Sequence, residues 1–319
     1  MTDVIGLVLP FFGLIFLGYL LARLLKAPVE GLAWMNIFIL YAALPALFFQ
    51  LLSRTPVQEL AQGGFLFASV SATAIIFATM FVGSRLSGSS VPESTIQSLS
   101  AAYGNIGFMG PGLALIAFGE KAAVPIALIF CVENVLHFAV TPTLMALSGE
   151  QTQRRSRLAL DVVRRIALHP FIIATAIGAL AAITQVKVPV ALDRLLEILS
   201  RAAAPCALFA MGVTLALRPL KKIPASLAPI ACLKLIAQPI LCYFMLSMFG
   251  NFDPVWVWSA VLLASLPTAT NVYVLAEQYG VWVNRASASV LITTLCSVVT
   301  VTSLLYVIRS GILPPDLFP

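Results

Sequence analysis

Ten apolar stretches, at about 4–25, 31–53, 61–85, 94–118, 122–147, 166–185, 195–217, 224–249, 255–279 and 285–309, take up almost all of the 319-residue chain. A bilayer crossing needs roughly 20 apolar residues, and each stretch is close to that length. With 60% apolar residues, 10% charged residues and a mean hydropathy of +1.00, polar groups are too few to coat a globular exterior. In lipid the backbone must satisfy its own hydrogen bonds, so an all-α membrane protein of ten transmembrane helices is expected. The first stretch follows Asp3 and has neither a basic leader nor a small-x-small cleavage pattern, so it is expected to stay as a helix. Cys131, Cys206, Cys232, Cys242 and Cys296 all fall inside the apolar stretches without paired spacing. They are expected to be small buried side chains, with no metal, disulfide or cofactor role.

The net charge of +6 is explained by its distribution. With the N-terminus outside, Arg23, Lys26, Arg85, Arg154, Arg155, Arg157, Arg164, Arg165, Arg218, Lys221, Lys222 and Arg285 fall on the cytoplasmic side. Arg54, Lys121, Lys187, Arg194, Arg201 and Arg309 fall outside, and Lys234 lies within a helix. Twelve against six sets both termini outside a cell (inner) membrane and makes the basicity a topology signal, not a nucleic-acid footprint. Trp34, Trp256, Trp258 and Trp282 sit near predicted helix ends and fit interfacial anchoring.

The polar connector 148–165 separates a unit of five helices at 1–147 from another at 166–319. A shift of 160 places Pro10 on Pro170, Gly18 on Gly178, Pro45 on Pro205 and Pro111 on Asn271. Because five is odd, a duplicated five-helix unit enters the membrane the other way up the second time. The expected build is therefore an inverted repeat, common among secondary transporters.

That symmetry pairs two interruptions. GNIGFMGPG at 104–112 breaks the fourth apolar stretch, and SLPTATN at 265–271 breaks the ninth at a matching depth. Freed backbone at that depth is tolerated when it is buried in protein or lines a cavity, so paired breaks point to a site; a simple kink is the alternative for each. Half-helices starting near Pro111 and Asn271 would present unpaired N–H groups and about half a positive charge each. With Asn105, Thr268, Thr270 and Asn271 as neutral polar groups, and Gly107 and Gly110 permitting close approach, the expected ligand is a carboxylate.

Glu133 and Lys234 are the ionisable pair deepest in the apolar stretches. Buried unpaired, each charge would cost several kcal/mol. They are expected either to pair or to answer the charge of the half-helices, an inert ion pair being the alternative. Asn134 and His137 lie beside and one turn beyond Glu133, which makes this group a candidate for proton coupling and charge balance. The amphipathic stretch Val190–Ala204 spaces Asp193, Glu197 and Arg201 one turn apart, as an interfacial helix leading into the seventh crossing or as a gate.

At these residues the chain resembles the auxin efflux carrier family, which includes bacterial malonate and organic-acid permeases. The matching pieces are NIFILYAALPALFF (36–49), YGNIGFMGPGL (103–113), HPFIIATAIG (169–178), ALFAMGVTLALRP (207–219) and LPTATNVYVLAEQYG (266–280). The resemblance implies the fold of bile-acid symporters and sodium/proton antiporters, with helices 4 and 9 crossing at their breaks. It also implies a scaffold of helices 1, 2, 6 and 7, a transport unit of helices 3–5 and 8–10, elevator movement and a homodimer. The family's fourth-helix asparagine corresponds to Asn105 and its crossover proline to Pro111. The chain departs from the pattern in having Gly110-Pro111-Gly112, and Asn271-Val272 where plant carriers have a ninth-helix proline. Glu133-Asn134 and Lys234 resemble the acidic pair and lysine of related antiporters, with one acid exchanged for an amide and the lysine standing where a cation would bind.

The expected function is secondary transport of a small organic anion in the lipid bilayer, with protons favoured over sodium for coupling. A sodium/proton exchanger is weakened by the lack of a second acid beside Glu133. A sensor without flux would be separated from a carrier by substrate counterflow. Two distant histidines and no nucleophile-base set argue against an intramembrane enzyme.

Overall fold

The computed structural model describes residues 2–25, 30–56, 62–148, 164, 167–168, 170–217 and 227–318. Of the basic connector only Ser148 and Arg164 are described; Arg154, Arg155, Arg157, Arg165, His169, Arg218, Lys221 and Lys222 lie outside the described residues. The described residues are almost wholly helical and contain no strand. In chain order the helices are α1 (Thr2–Leu25), α2 (Glu30–Phe38), α3 (Leu44–Ser53), α4 (Gly63–Leu86), α5 (Val91–Ala102), α6 (Ile106–Phe118) and α7 (Ala123–Leu147). There follow α8 (Pro170–Thr184), α9 (Val190–Leu217), α10 (Ala228–Cys232), α11 (Gln238–Phe249), α12 (Pro254–Ser265), α13 (Thr270–Tyr279) and α14 (Val283–Arg309).

Among the described residues, six helical stretches are long and apolar enough to cross a membrane: Gly31–Ser53, Gly63–Leu86, Glu120–Leu147, Val190–Leu217, Ala228–Phe249 and Val283–Arg309. Shorter apolar helices occupy Leu9–Leu25, Ile106–Phe118, Ile172–Thr184 and Pro254–Ser265. Two of the long stretches carry a π-turn, Ile39–Ala43 and Leu233–Ala237, and each turn is followed within two residues by a proline, Pro45 and Pro239. A proline ring clashes with the carbonyl four residues back, and the wider turn relieves it.

The chain divides into two compact units, one of residues 1–63, 106–131 and 169–219, the other of 64–105, 132–168 and 220–319. In the first, glycines let helix backbones touch. A Cβ on Gly18 of α1 would sit 2.2 Å from the Phe209 carbonyl oxygen of α9, and one on Gly212 of α9 would sit 1.9 Å from that of Ile15. Gly178 of α8 does the same against Phe49 of α3, at 2.9 Å. Small residues at helix contacts are the membrane way of gaining packing energy. Phe48 and Phe130 stack with centroids 4.6 Å apart. Val190–Ala204 runs without a break into the rest of α9. Within it Asp193 pairs with Arg54 at 3.0 Å and Glu197 with Arg201 at 2.6 Å.

The second unit contains α5 and α12, both of 12 residues and offset by 163 at each end (254 − 91 and 265 − 102). Each starts on a side-chain cap. Ser90 and Glu93 form a reciprocal capping box on α5, and Asp253 accepts from the Val255 N–H on α12. Proline follows in the first turn of each, where its missing N–H costs nothing. Trp256 and Trp258 are not interfacial anchors: both are buried, Trp256 edge-on to Phe65 and Trp258 stacked on Tyr243. Trp34 is exposed, as anchoring requires. Only Cys242 among the cysteines is buried; Cys232 and Cys296 are exposed, so the expectation of five buried thiols fails.

Candidate functional site

The second unit holds both helix breaks. Between α5 and the start of α6 the chain is extended over Tyr103–Asn105, and between α12 and α13 over Leu266–Ala269. The two segments pair antiparallel at Gly104 and Thr268. The Asn105 N–H donates to the Pro267 carbonyl at 2.8 Å, and the Ala269 N–H donates to the Tyr103 carbonyl at 2.9 Å. Backbone groups without helical partners are thus satisfied by each other, as burial demands. The first break lies earlier than the sequence suggested, since α6 begins at Ile106 with Pro111 inside it, whereas α13 begins at Thr270, next to the expected Asn271. Pro267 lies within the ninth-helix break.

A helix end leaves its last carbonyls without donors, and here side chains supply them. Lys234 Nζ donates to the Ala264 carbonyl at the end of α12, at 2.7 Å. Gln238 Nε2 donates to the Ala102 carbonyl at the end of α5, at 3.0 Å. Thr268 Oγ1 donates to the Ser100 carbonyl at 2.6 Å, while its N–H donates to Thr293 Oγ1 at 3.1 Å. The cation and the amide donor therefore sit where the half-helix dipoles are negative.

Glu133 and Lys234 form no direct ion pair. A one-way chain of hydrogen bonds joins them: Lys234 Nζ to Gln238 Oε1 at 2.7 Å, Gln238 Nε2 to Thr73 Oγ1 at 3.0 Å, and Thr73 Oγ1 to Glu133 Oε1 at 2.6 Å. All four residues are buried. The directions fix the Gln238 amide orientation, since a carboxylate only accepts and an ammonium only donates. Glu133 Oε2 has no partner among the described residues.

Tyr103 is the hub on the other side of Glu133. Its hydroxyl donates to Asn134 Oδ1 at 2.6 Å and accepts from Asn271 Nδ2 at 3.2 Å. Its ring stacks on the His137 imidazole, 4.2 Å between centroids. His137 Nδ1 lies 2.6 Å from the Glu133 carbonyl oxygen and so carries the proton there; Nε2, buried, has no partner among the described residues.

Of the residues singled out from sequence, Glu133, Asn134, His137, Lys234, Asn105, Thr268 and Asn271 thus fall in one unit, joined by bonds through Thr73, Tyr103 and Gln238 or through the paired breaks. Thr270 opens α13 with its side chain half-buried. Gly107, Gly110 and Pro111 lie on α6 in the first unit. There the Gly107 hydrogen faces Phe130, whose ring edge would be 2.9 Å from a Cβ, so this glycine serves packing. Pro111 borders a cavity of about 730 Å³ between α1, α3, α6 and α9. Sequence reading missed Thr73 and the role of Gln238. Gln238 had a faint signal, one turn after Lys234 and just before a proline; Thr73 had none. Among the described residues no cluster could hold a metal ion.

The arrangement gathers buried polar and ionisable side chains around the two helix breaks. Comparison with known proteins gives the family. A "Putative malonate transporter" of Rhizobium meliloti (strain 1021) is 59% identical over 100% of both chains. "Uncharacterized transporter YfdV" of Escherichia coli (strain K12) is 25% identical, covering 97% of this chain and 99% of its own. An "Uncharacterized transporter" of Methanothermobacter thermautotrophicus is 25% identical over 90% of this chain and 92% of its own. The model of the family described as "Membrane transport protein" matches residues 3–305, and the chain belongs to that family, the auxin efflux carriers.

Proposed function

We propose that the chain is a secondary transporter of small organic anions of the size of malonate, built as ten crossings in two inverted five-helix repeats. One observation carries the reading: the C-terminal ends of α5 and α12 are capped by Lys234 and Gln238, whereas Ala269 gives the N-terminus of α13 no side-chain cap. With the negative helix ends answered by a fixed cation, the remaining field at the break favours an anion. Asn105, Thr270 and Asn271 are proposed to contact it, and Thr268 to hold the break in shape. The relative's name supports a dicarboxylate.

The repeat is supported by the packing of α1 on α9 and α8 on α3 through Gly18 and Gly178, the pair superposed by the shift of 160. The two contacts exchange when one half is laid on the other. Elevator movement, a homodimer and a cell-membrane location with both termini outside belong to the same proposal. Glu133 Oε2 and His137 Nε2, buried atoms with no partner among the described residues, are the proposed places for a coupling proton. Glu133→Gln would then remove the pH dependence of transport, and a variant with an unchanged profile would contradict this.

The test of the binding reading is a thermal-shift series of mono- and dicarboxylates on purified protein, with and without sodium. Malonate-sized diacids should stabilise the protein in either case, and Asn271→Ala should abolish the shift. An undiminished shift in that variant would contradict the assignment.

A further inference from the structure

A cavity of about 540 Å³ lies in the second unit, where the chain beyond α14 meets the end of α11. After α14 the chain turns at Gly311 and runs along the last turns of α11. Tyr243 Oη donates to the Pro314 carbonyl, and the Leu317 N–H donates to Ser247 Oγ at 3.2 Å. These bonds bring Phe318 onto Phe244, with ring centroids 6.2 Å apart and planes at 76°, so that the two rings form a corner. Phe249, Asn251 and Asp316 line the same cavity. Asp316 is its one charged wall and has no ion pair among the described residues; Arg309 and Asp253, the neighbouring charges in sequence, are not among the walls. Asp316 Oδ1 accepts from the Phe318 N–H at 2.8 Å, which leaves the carboxylate further lone pairs for a ligand.

Perpendicular aromatic rings beside a carboxylate attract an ammonium group, through the negative ring faces and through charge. Phe244 and Met248 of the lining also belong, with Ile240, to a stripe of α11 spaced one turn apart and exposed by 41%, 56% and 62%. α11 ends the apolar span Ala228–Phe249, so the stripe offers about 12 Å of apolar surface running from the cavity along a membrane helix. The Asn251 amide has donors for a phosphate. We propose that this cavity holds the headgroup of a zwitterionic phospholipid, with its ammonium among Phe244, Phe318 and Asp316, its phosphate at Asn251 and an acyl chain along Met248 and Ile240. The site does not depend on the reading of the helix breaks.

The test is native mass spectrometry of the protein released from micelles that contain phosphatidylethanolamine, phosphatidylcholine and phosphatidylglycerol in equal amounts, all with the same acyl chains. Each ammonium lipid should be retained roughly fivefold over phosphatidylglycerol. Asp316→Asn, which keeps an acceptor for the Phe318 N–H, should remove most of that preference. Phe318→Leu, which keeps the carboxylate, should reduce it. Free choline should displace phosphatidylcholine only in excess, on the order of a hundredfold, since each methylene laid on α11 adds up to about fourfold. Displacement by an equal amount of choline would give the site to a soluble ammonium compound and overturn the lipid assignment. Equal retention of the three lipids, or a preference unmoved in both variants, would overturn the proposal as a whole.

Discussion

Lys234 and Ala264 meet through one hydrogen bond of 2.7 Å, a buried ammonium on the C-terminal carbonyl of a half-helix. That contact explains how a charge survives at this depth without an acid against it. The helix end supplies partial negative charge, the Gln238 amide supplies a second acceptor, and Glu133 is reached only through Thr73.

Lys234→Met should destabilise strongly, because it strips the Ala264 carbonyl and Gln238 Oε1 of their donor and leaves Glu133 unanswered. Leaving a buried acceptor without its donor costs about 1–3 kcal/mol each. Adding Glu133→Gln should restore part of this, with a coupling of about 1–3 kcal/mol in a double-mutant cycle on thermal unfolding. Additive losses would show that the hydrogen-bond chain carries no coupling.

Thr73→Val keeps shape and removes the hydroxyl between Gln238 and Glu133. The unpaired Glu133 Oε1 should cost about 1–3 kcal/mol, and Thr73→Ser should recover most of it. Unfolding midpoints of the three proteins check the order.

Thr73 also marks the limit of what the sequence made legible. Element existence was plain from hydropathy, and the paired breaks from glycine and proline. The exact break was not: Pro111 drew attention as a helix breaker, yet in lipid a proline is carried inside α6, and the chain opens at Tyr103–Asn105, where the signal is only a tyrosine and a glycine. Glu133 and Lys234 stood out because charge in an apolar stretch is costly. Thr73 lay hidden, since a threonine in such a helix usually bonds its own backbone, as Thr79 does at 2.8 Å. Trp256 misled for a similar reason, its position near a helix end outweighing the aromatic partner, Phe65, far away in sequence.

Gly212→Ala should force α1 and α9 apart, because the added Cβ would lie 1.9 Å from the Ile15 carbonyl oxygen. A loss of about 3 kcal/mol or more, or failure to accumulate, is expected from overpacking against backbone. Gly13→Ala, with nothing within 4 Å, should instead be neutral or stabilise α1 by up to about 1 kcal/mol. Yield and thermal stability of the two variants make the comparison.

Tyr103→Phe removes the hydroxyl that bridges Asn134 and Asn271 while keeping the ring on His137. Malonate affinity should fall about tenfold, about 1.4 kcal/mol, and stability by about 1–3 kcal/mol, as for the Thr73 hydroxyl. Equal binding in the variant would separate Asn271 from the substrate.

Counterflow measures the proposed transport of a small dicarboxylate directly. Proteoliposomes loaded with unlabelled malonate should accumulate radiolabelled malonate transiently, without ATP, and Asn271→Ala proteoliposomes should not. Absence of counterflow for malonate and every other small carboxylate in wild-type vesicles, with protein shown to be folded and inserted, would contradict the proposed transport.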